Sequence, residues 1–179
     1  PTVSIPFRGA FFSQSLHFVC FPFRENVVDY RKWEGVAFVE ECVIFCAAGF
    51  DGLAVPLTEK DYLIAADGGL KHMESLGVTP NAIIGDFDSL NYIPTGAEVF
   101  PVEKDDTDSM LAVKLGLSKG YDRFLIYGGL DGVRLDHTVA NYQALQYLAD
   151  RDARGILIGK DFCATVIRNG ALCFPGGKQ

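Results

Sequence analysis

Four short motifs place acidic residues beside glycines or hydroxyls, a combination that can bind metal and phosphate. The first, Asp67-Gly68-Gly69, directly follows the apolar run 62–66. An Asp at the end of a strand can reach a ligand, and the two glycines let the backbone approach phosphate where a helix begins. The alternative is an ordinary strand-to-helix turn with a capping Asp, because Asp and Gly are common in turns. Asp67, Gly68 and Gly69 are therefore candidates for ligand contact.

The second motif, Gly-Asp-Phe-Asp-Ser over residues 85–89, follows the apolar run 82–84. In an extended chain Asp86 and Asp88 project in the same direction, so both can bind one hard cation with Ser89 beside them. A solvated acidic turn is the alternative. The wholly apolar run before the motif is typical of a buried strand and favours a site at its end.

The third motif runs from Lys104 through Asp105-Asp106-Thr107 to Asp108 and begins a helix predicted over 105–119. One or two acids here would be routine capping, worth about 1 kcal/mol, but three acids exceed what a cap needs. Asp105 and Asp108 share one helix face, so one can cap the helix while the other binds metal. Lys104 is either a phosphate contact or a local counter-charge.

The fourth motif begins with glycines at 128, 129 and 132, after the apolar run 124–127. Gly128, Gly129 and Gly132 form a loop that can approach phosphate, and the guanidinium of Arg134 suits two-pronged contact with phosphate oxygens.

A helix follows that loop and is predicted to reach about residue 150. Its spacing places Arg134, His137 and Asn141 on one face, and the opposite, buried face carries Leu135, Val139, Tyr142, Leu145 and Leu148. For His137, a hydrogen bond to Asp136 or to a backbone carbonyl is the favoured interpretation, and the role of a catalytic base is the less favoured one.

The elements that must position these motifs alternate in type. Apolar runs at 42–48, 62–66, 82–84 and 124–127 predict buried strands, and helices are predicted over 70–76, 105–119 and 135–150. This alternation predicts an α/β fold with a Rossmann-like, mostly parallel sheet and helices on both faces. Ligands of such sheets bind beyond the carboxyl ends of the strands, where the acidic motifs lie.

Collecting four carboxylates at one edge has an energetic cost. Two carboxylates 4 Å apart repel by about 4 kcal/mol at an effective dielectric constant of 20. Asp67, Asp86, Asp88 and Asp108 are tolerable together only with protons or a divalent metal. Mg²⁺ prefers oxygen ligands and usually brings substrate phosphates. The residues alone thus predict a Mg²⁺-dependent enzyme acting on phosphates.

Composition excludes several other classes of protein. The 179 residues carry a net charge of −7 and 49% hydrophobic residues, which argue against a nucleic-acid partner and against disorder. No apolar run reaches the roughly 18 residues that cross a bilayer, so no membrane partner is expected. Five cysteines without a C-x-x-C pair suggest a reduced, cytoplasmic chain.

Three regions follow from these patterns. Residues 1–40, rich in aromatics, are an N-terminal extension of unknown role. Residues 41–152 form the α/β nucleotide-binding catalytic domain. Residues 153–179 contain short β-like runs and are expected to begin a small C-terminal β domain that is incomplete here.

The ordered motifs resemble those of the thiamine pyrophosphokinases of the bacterial type. The resemblance rests on D-G-G, G-D-F-D-S, K-D-D-T-D and R-L-D-H-T-V-A-N, and runs from about residue 42 to residue 150. It implies an ATP:thiamine diphosphotransferase with a C-terminal β-sandwich and a homodimeric assembly. Its partners would be ATP and thiamine, with Mg²⁺ as the cofactor and AMP and thiamine diphosphate as products.

The resemblance also assigns roles to residues. Metal binding and orientation of the pyrophosphoryl group would fall to Asp67, Asp86, Asp88 and Asp108. Contacts with the nucleotide would come from Gly68, Gly69, Ser89, Lys104, Gly128, Gly129, Gly132, Arg134, Asp136 and Asn141. One departure from the family pattern is Val133, an extra residue between Gly132 and Arg134.

Two other functions fit parts of the same pattern. An apolar strand leading into Asp86-x-Asp88 also resembles the haloacid-dehalogenase-like phosphatases, in which the first Asp would be the nucleophile. A remnant that binds nucleotide without catalysis is the other. Thiamine-dependent release of AMP would distinguish the kinase from both.

Overall fold

The computed structural model describes residues 16–22, 40–85, 98–100 and 106–168. Its helices are α1 (Gly69–Leu76), α2 (Asp108–Ser118) and α3 (Leu135–Ala149). Its strands are β1 (Leu16–Pro22), β2 (Cys42–Phe45), β3 (Tyr62–Ala66), β4 (Ala82–Ile84), β5 (Glu98–Phe100), β6 (Arg123–Tyr127), β7 (Arg154–Ile158) and β8 (Phe162–Arg168).

Within the described ranges the strands form one eight-stranded sheet in the order β1-β8-β7-β6-β2-β3-β4-β5. The six strands from β7 to β5 are parallel to one another. At one edge β8 pairs antiparallel with β7, and β1 pairs antiparallel with β8. The predicted α/β class with a mostly parallel sheet is therefore confirmed. Strand order reverses beside β2, because the chain moves outward through β3, β4 and β5 and then returns to β6 on the other side.

The sheet is covered by helices on both faces, as predicted. Side chains alternate along β2, so that Ile44 packs in the cluster containing α2 and α3. Phe45 points to the other face and packs in the cluster containing α1. Such strands, buried on both sides, account for the continuous apolar runs in the sequence.

Helix α2 begins three residues later than the pattern predicts. Thr107 is the N-cap residue, with an extended backbone, and its Oγ1 accepts a hydrogen bond from the Met110 N–H at 3.3 Å. A Thr side chain in this position satisfies a first-turn N–H that would otherwise lack a partner, which fixes the start of the helix. Asp105, with which the prediction began the helix, lies outside the described residues.

The predicted buried stripe of α3 is correct only in its second half. Leu145 and Leu148 are buried, whereas Leu135 and Val139 are 74% and 49% exposed. The first turns of α3 lie beside a cavity, and these two side chains cover none of the strands that the structure describes. The residue that the prediction placed on the opposite face, Asn141, is buried.

The domain boundary predicted before residue 153 is not where the sheet ends. Strand β7 pairs in parallel with β6, and β8 pairs with β7, so residues 154–168 continue the sheet of the α/β domain. Part of the predicted N-terminal extension also belongs to this sheet, because β1 pairs along its length with β8. The C-terminal β domain predicted for residues 153–179 stays a prediction, and residues 169–179 lie outside the described ranges. No helix in the described part of the chain has the length and apolar character that crossing a membrane requires.

Substitution of Gly116 tests how closely α2 packs on the sheet. A Cβ at this position would lie 2.5 Å from Phe124 Cε1 and 2.7 Å from Cys42 Sγ. We expect Gly116→Ala to lower the free energy of unfolding by about 1–3 kcal/mol through overpacking, although Ala in a helix is normally favoured over Gly by about 1 kcal/mol. Urea denaturation measures the change.

The matched control is Ser118→Ala, on the exposed side of the same helix. We expect it to change the stability by less than about 0.5 kcal/mol. A Gly116→Ala protein as stable as the wild type would contradict the close contact between α2 and the strands beneath it.

Candidate active site

A cavity of about 470 Å³ opens at the carboxyl ends of β2, β3 and β6. It lies where the strand order reverses, which is the usual ligand crevice of an open α/β sheet. The amino-terminal ends of α2 and α3 also border this cavity. Its walls are formed by Cys46, Ala47, Ala48, Ala66, Asp67, Asp106, Thr107, Asp108, Ser109, Gly128, Gly129, Gly132, Val133, Arg134, His137, Thr138 and Asn141.

Asp67 enters the cavity directly after β3. Its backbone is left-handed, with φ of 52°, and its N–H donates to the Ile84 carbonyl at 2.8 Å. Asp adopts this conformation more readily than most residues, but some strain remains. The neighbouring β4 therefore holds Asp67 in a conformation that turns the chain sharply at the cavity.

The two glycines that follow Asp67 do not line the cavity. Gly69 packs against β2 so closely that a Cβ would lie 1.8 Å from the Phe45 carbonyl oxygen. A Cβ on Gly68 would lie 3.0 Å from the Ala47 Cβ. Their described contacts are with β2 and the residues just after it, and the nucleotide contact predicted for these glycines stays a prediction.

Asp108 reaches the cavity from the first turn of α2, and Gly85 lies between it and Asp67. A Cβ on Gly85 would lie 3.3 Å from the Asp67 Cα and 4.0 Å from Asp108 Oδ2. The end of β4 thus meets the two predicted metal ligands that the structure describes. Four predicted site residues lie outside the described residues, namely Asp86, Asp88, Ser89 and Lys104.

The pKa of the Cys46 thiol reflects the charges near this part of the cavity. Burial raises its pKa to about 12, and the negative charges of Asp108 and Asp67 add to the increase. Both carboxylates therefore act on the same point of the cavity floor. Asp106 also lines the cavity but forms an ion pair with Lys114, which offsets its charge.

The glycine loop at residues 128–132 forms the opposite wall. Gly128 has φ of 66°, and a Cβ on it would lie 2.3 Å from the Cys46 carbonyl oxygen. Its own carbonyl accepts a hydrogen bond from the Ala48 N–H at 2.9 Å. As predicted, Gly128, Gly129 and Gly132 all line the cavity.

The predicted polar face of α3 lines the cavity with Arg134, His137 and Asn141. The extra residue Val133 does not remove Arg134 from this wall and is itself fully exposed. Arg134 Nη2 lies 2.6 Å from Asp136 Oδ2, and both side chains are more than half exposed. This hydrogen bond lowers the pKa of Asp136, which does not itself line the cavity.

Several residues of the cavity were not assigned a role from the sequence. Thr107, inside the third motif, and Ser109, just after it, place their hydroxyls 3.1 Å apart at the start of α2. Their position in and beside the acidic motif was a signal that could have identified them. Ala47, Ala48 and Ala66 had none, because small apolar residues at strand ends are common. Only the tertiary fold brings these three alanines together in the cavity wall.

The donor set suits a hard cation in its chemistry. Asp67 and Asp108 supply carboxylate oxygens, which Mg²⁺ prefers. Within the described ranges no group of three His, Cys, Asp or Glu side chains is gathered as a metal site. The described residues thus contribute two of the four predicted ligands.

Removing one carboxylate tests the repulsion at this site. Without added metal, we expect Asp67→Asn to unfold at the wild-type temperature or up to about 4 °C above it, because Asn also tolerates left-handed backbone and removes one negative charge. Thermal unfolding followed by circular dichroism measures this.

Asp152→Asn is the matched control, since Asp152 is exposed and also left-handed, with φ of 57°, but lies far along the chain in the turn after α3. We expect no change for it. A clear loss of stability in Asp67→Asn alone would mean that the Asp67 carboxylate stabilises the fold instead of being held in it at a cost.

Known proteins resemble this chain in sequence and in fold. A sequence profile described as the catalytic domain of thiamin pyrophosphokinase matches residues 56–157. No curated protein sequence matches the chain.

Solved structures of thiamine pyrophosphokinases are similar in fold. The enzyme from Bacillus subtilis is 28% identical, with a TM-score of 0.56 over 68% of this chain and 61% of the other. That from Geobacillus thermodenitrificans is 25% identical, with a TM-score of 0.53 over 68% and 59%. A protein from Lactobacillus plantarum, 23% identical with a TM-score of 0.56 over 69% and 62%, shares the fold.

The chain therefore spans about three fifths of the length of these structures. The family profile covers more than half of the chain and includes Asp67, Asp108 and the glycine loop. This protein belongs to the thiamin pyrophosphokinase family.

Proposed function

We propose that the chain is the catalytic domain of an ATP:thiamine diphosphotransferase, which transfers the pyrophosphoryl group of ATP to thiamine. The observation that carries this proposal is the meeting of Asp67, Gly85 and Asp108 at a cavity into which α2 and α3 also open. Carboxylates beside helix N-termini and a glycine loop are suited to a metal-bound polyphosphate.

The phosphates would lie along the glycine loop and the start of α3. The N-cap residue of α3, Arg134, makes no capping hydrogen bond with its side chain, whereas the side chain of Thr107 caps α2. The positive end of the α3 dipole is therefore available to an anion. Arg134 stands at this helix end and would exchange its exposed contact with Asp136 for phosphate oxygens.

Asp67 and Asp108 would hold Mg²⁺, joined by Asp86 and Asp88 from the residues that follow Gly85. When bound, the metal would neutralise charge on the oxygens of the transferring group. Since such transfer needs little covalent help from the protein, positioning and charge compensation are the tasks left to these residues.

In the proposed reaction the hydroxyl oxygen of thiamine forms a bond with the β-phosphorus of ATP. The bond from that phosphorus to the oxygen bridging to the α-phosphate breaks, AMP leaves with that oxygen, and the hydroxyl proton passes to water. Arg134 and the loop at 128–132 would hold the phosphate chain in line for this displacement.

We further propose that the working protein is a homodimer in the cytoplasm and that a C-terminal β-sandwich completes the thiamine site. The buried, reduced thiols of Cys42 and Cys46 are consistent with a reducing compartment. The length of the related structures beyond the matched region leaves room for the additional domain.

The reaction is tested by incubating the chain with ATP, Mg²⁺ and thiamine, both as it stands and with any further residues that its gene encodes. We expect AMP and thiamine diphosphate in equal amounts, with AMP release dependent on thiamine. Chromatography of the nucleotides measures both products.

Formation of ADP, or turnover that is indifferent to thiamine, would contradict the assignment. A phosphorylated Asp86 trapped during turnover would favour a phosphohydrolase. Binding of ATP without turnover in either form of the chain would favour a non-catalytic member of the family.

Neutralising a predicted metal ligand should strongly lower turnover without unfolding the protein. We expect Asp86→Asn, Asp88→Asn and Asp108→Asn to lose at least about tenfold in kcat, the loss that even outer partners of a metal site can cause. Titration calorimetry with Mg²⁺ should show weaker binding in each. Asp152→Asn should keep wild-type values, and near-normal turnover in any of the three variants would remove that residue from the site.

A further inference from the structure

Asn141 presents a buried amide at the cavity that the proposed phosphate and metal contacts do not use. The residue lies on α3, lines the cavity and is only 5% exposed. Its Nδ2 donates a hydrogen bond to the Gly129 carbonyl oxygen at 2.8 Å. The side chain therefore ties the helix to the glycine loop.

This hydrogen bond fixes the orientation of the amide. Only the NH₂ group can donate to a carbonyl, so a rotated amide would set two acceptors against each other. Oδ1 is thus the remaining polar atom, and within the described part of the chain no group donates to it. Native proteins rarely leave a buried acceptor without a donor, so this atom needs an explanation.

Other hydrogen bonds also hold the loop at 128–132, but they lie at less buried positions. Asp131 Oδ2 accepts from the Lys160 N–H at 2.6 Å at an exposed site, and the Thr138 hydroxyl reaches the Leu130 carbonyl at 3.5 Å. Asn141 holds the loop from a buried position on the cavity wall. A Cβ on Gly129 would lie 3.2 Å from Asn141 Nδ2, so loop and amide are in close contact.

We propose that Asn141 is a positioning residue whose NH₂ group sets the glycine loop and whose Oδ1 accepts a hydrogen bond from the bound ligand. The identity of that ligand, ATP with Mg²⁺, rests on the proposed function. Its donor is an O–H or N–H, which either the nucleoside or the water carried by the Mg²⁺-triphosphate can supply. Both the loop and the acceptor lie on the same wall, so one side chain couples ligand binding to loop position.

The test substitutes Asn141→Leu, which has similar size and forms no side-chain hydrogen bond. The matched control is Thr165→Val. Thr165, 8% exposed on β8, donates to the Gly155 carbonyl at 2.7 Å and does not line the cavity. We expect Asn141→Leu to bind ATP with Mg²⁺ about tenfold more weakly, the loss typical of one buried hydrogen bond, and Thr165→Val to bind it as the wild type does.

Calorimetry is carried out at a temperature at which all three proteins are folded, so that lost stability does not imitate lost affinity. Inorganic tripolyphosphate with Mg²⁺ is titrated in parallel. Weakening with ATP alone assigns the donor to the nucleoside, and weakening with both ligands assigns it to the hydrated triphosphate. Unchanged affinity for both overturns the role of Oδ1.

Hydrogen exchange of the ligand-free proteins tests the positioning role by itself. We expect the amides of residues 128–134 to exchange at least about tenfold faster in Asn141→Leu than in the wild type, with Thr165→Val unchanged there. Equal exchange rates would overturn this role. Failure of the wild type to bind ATP would instead contradict the proposed function and the role of Oδ1 with it, while the exchange result still decides whether Asn141 positions the loop.

Discussion

The close approach of backbone segments at the carboxyl end of β2 is the constraint on which the site depends. The chain after β3 and the chain after β6 both press against this strand end, where Cβ atoms on Gly69 and Gly128 would fall within 2.3 Å of backbone oxygens. Hydrogen bonds from the N–H groups of Cys46 and Ala48 continue the contact with the β6 side beyond the regular strand. Any side chain at either glycine would force these segments apart and open the floor of the cavity.

The charged and polar groups of the cavity lie around this crowded floor. The wall nearest the strand ends is made of small apolar side chains, while α2 and α3 bring hydroxyls, carboxylates and a guanidinium from their first turns. Burial of Cys46 raises the pKa of its thiol, and the charges of Asp108 and Asp67 add to the increase. The same two carboxylates would attract a cation, and the helix ends would attract phosphate.

The strands at one edge of the sheet pair antiparallel, unlike the parallel strands at its centre. Antiparallel β8 covers β7, and β1 from the aromatic-rich first 40 residues pairs with β8 over seven positions. An uncovered edge strand offers unpaired N–H and C=O groups to other chains. One part of the N-terminal region thus extends the sheet that carries the site, although it lies on the side opposite β3 and β4.

Periodicity and motif order in the sequence were sufficient for the α/β class, the four central strands, and the cavity positions of Asp67, Asp108, Gly128, Arg134 and Asn141. These succeed because buried parallel strands must be continuously apolar and because ligand groups follow strand ends. Tertiary structure alone decided the rest. It turned Gly68 and Gly69 to pack against β2, left Leu135 and Val139 exposed beyond the sheet, and joined β7 and β8 to the same sheet. Each of these outcomes depends on which distant segment lies against a residue, and local patterns carry no record of that neighbour.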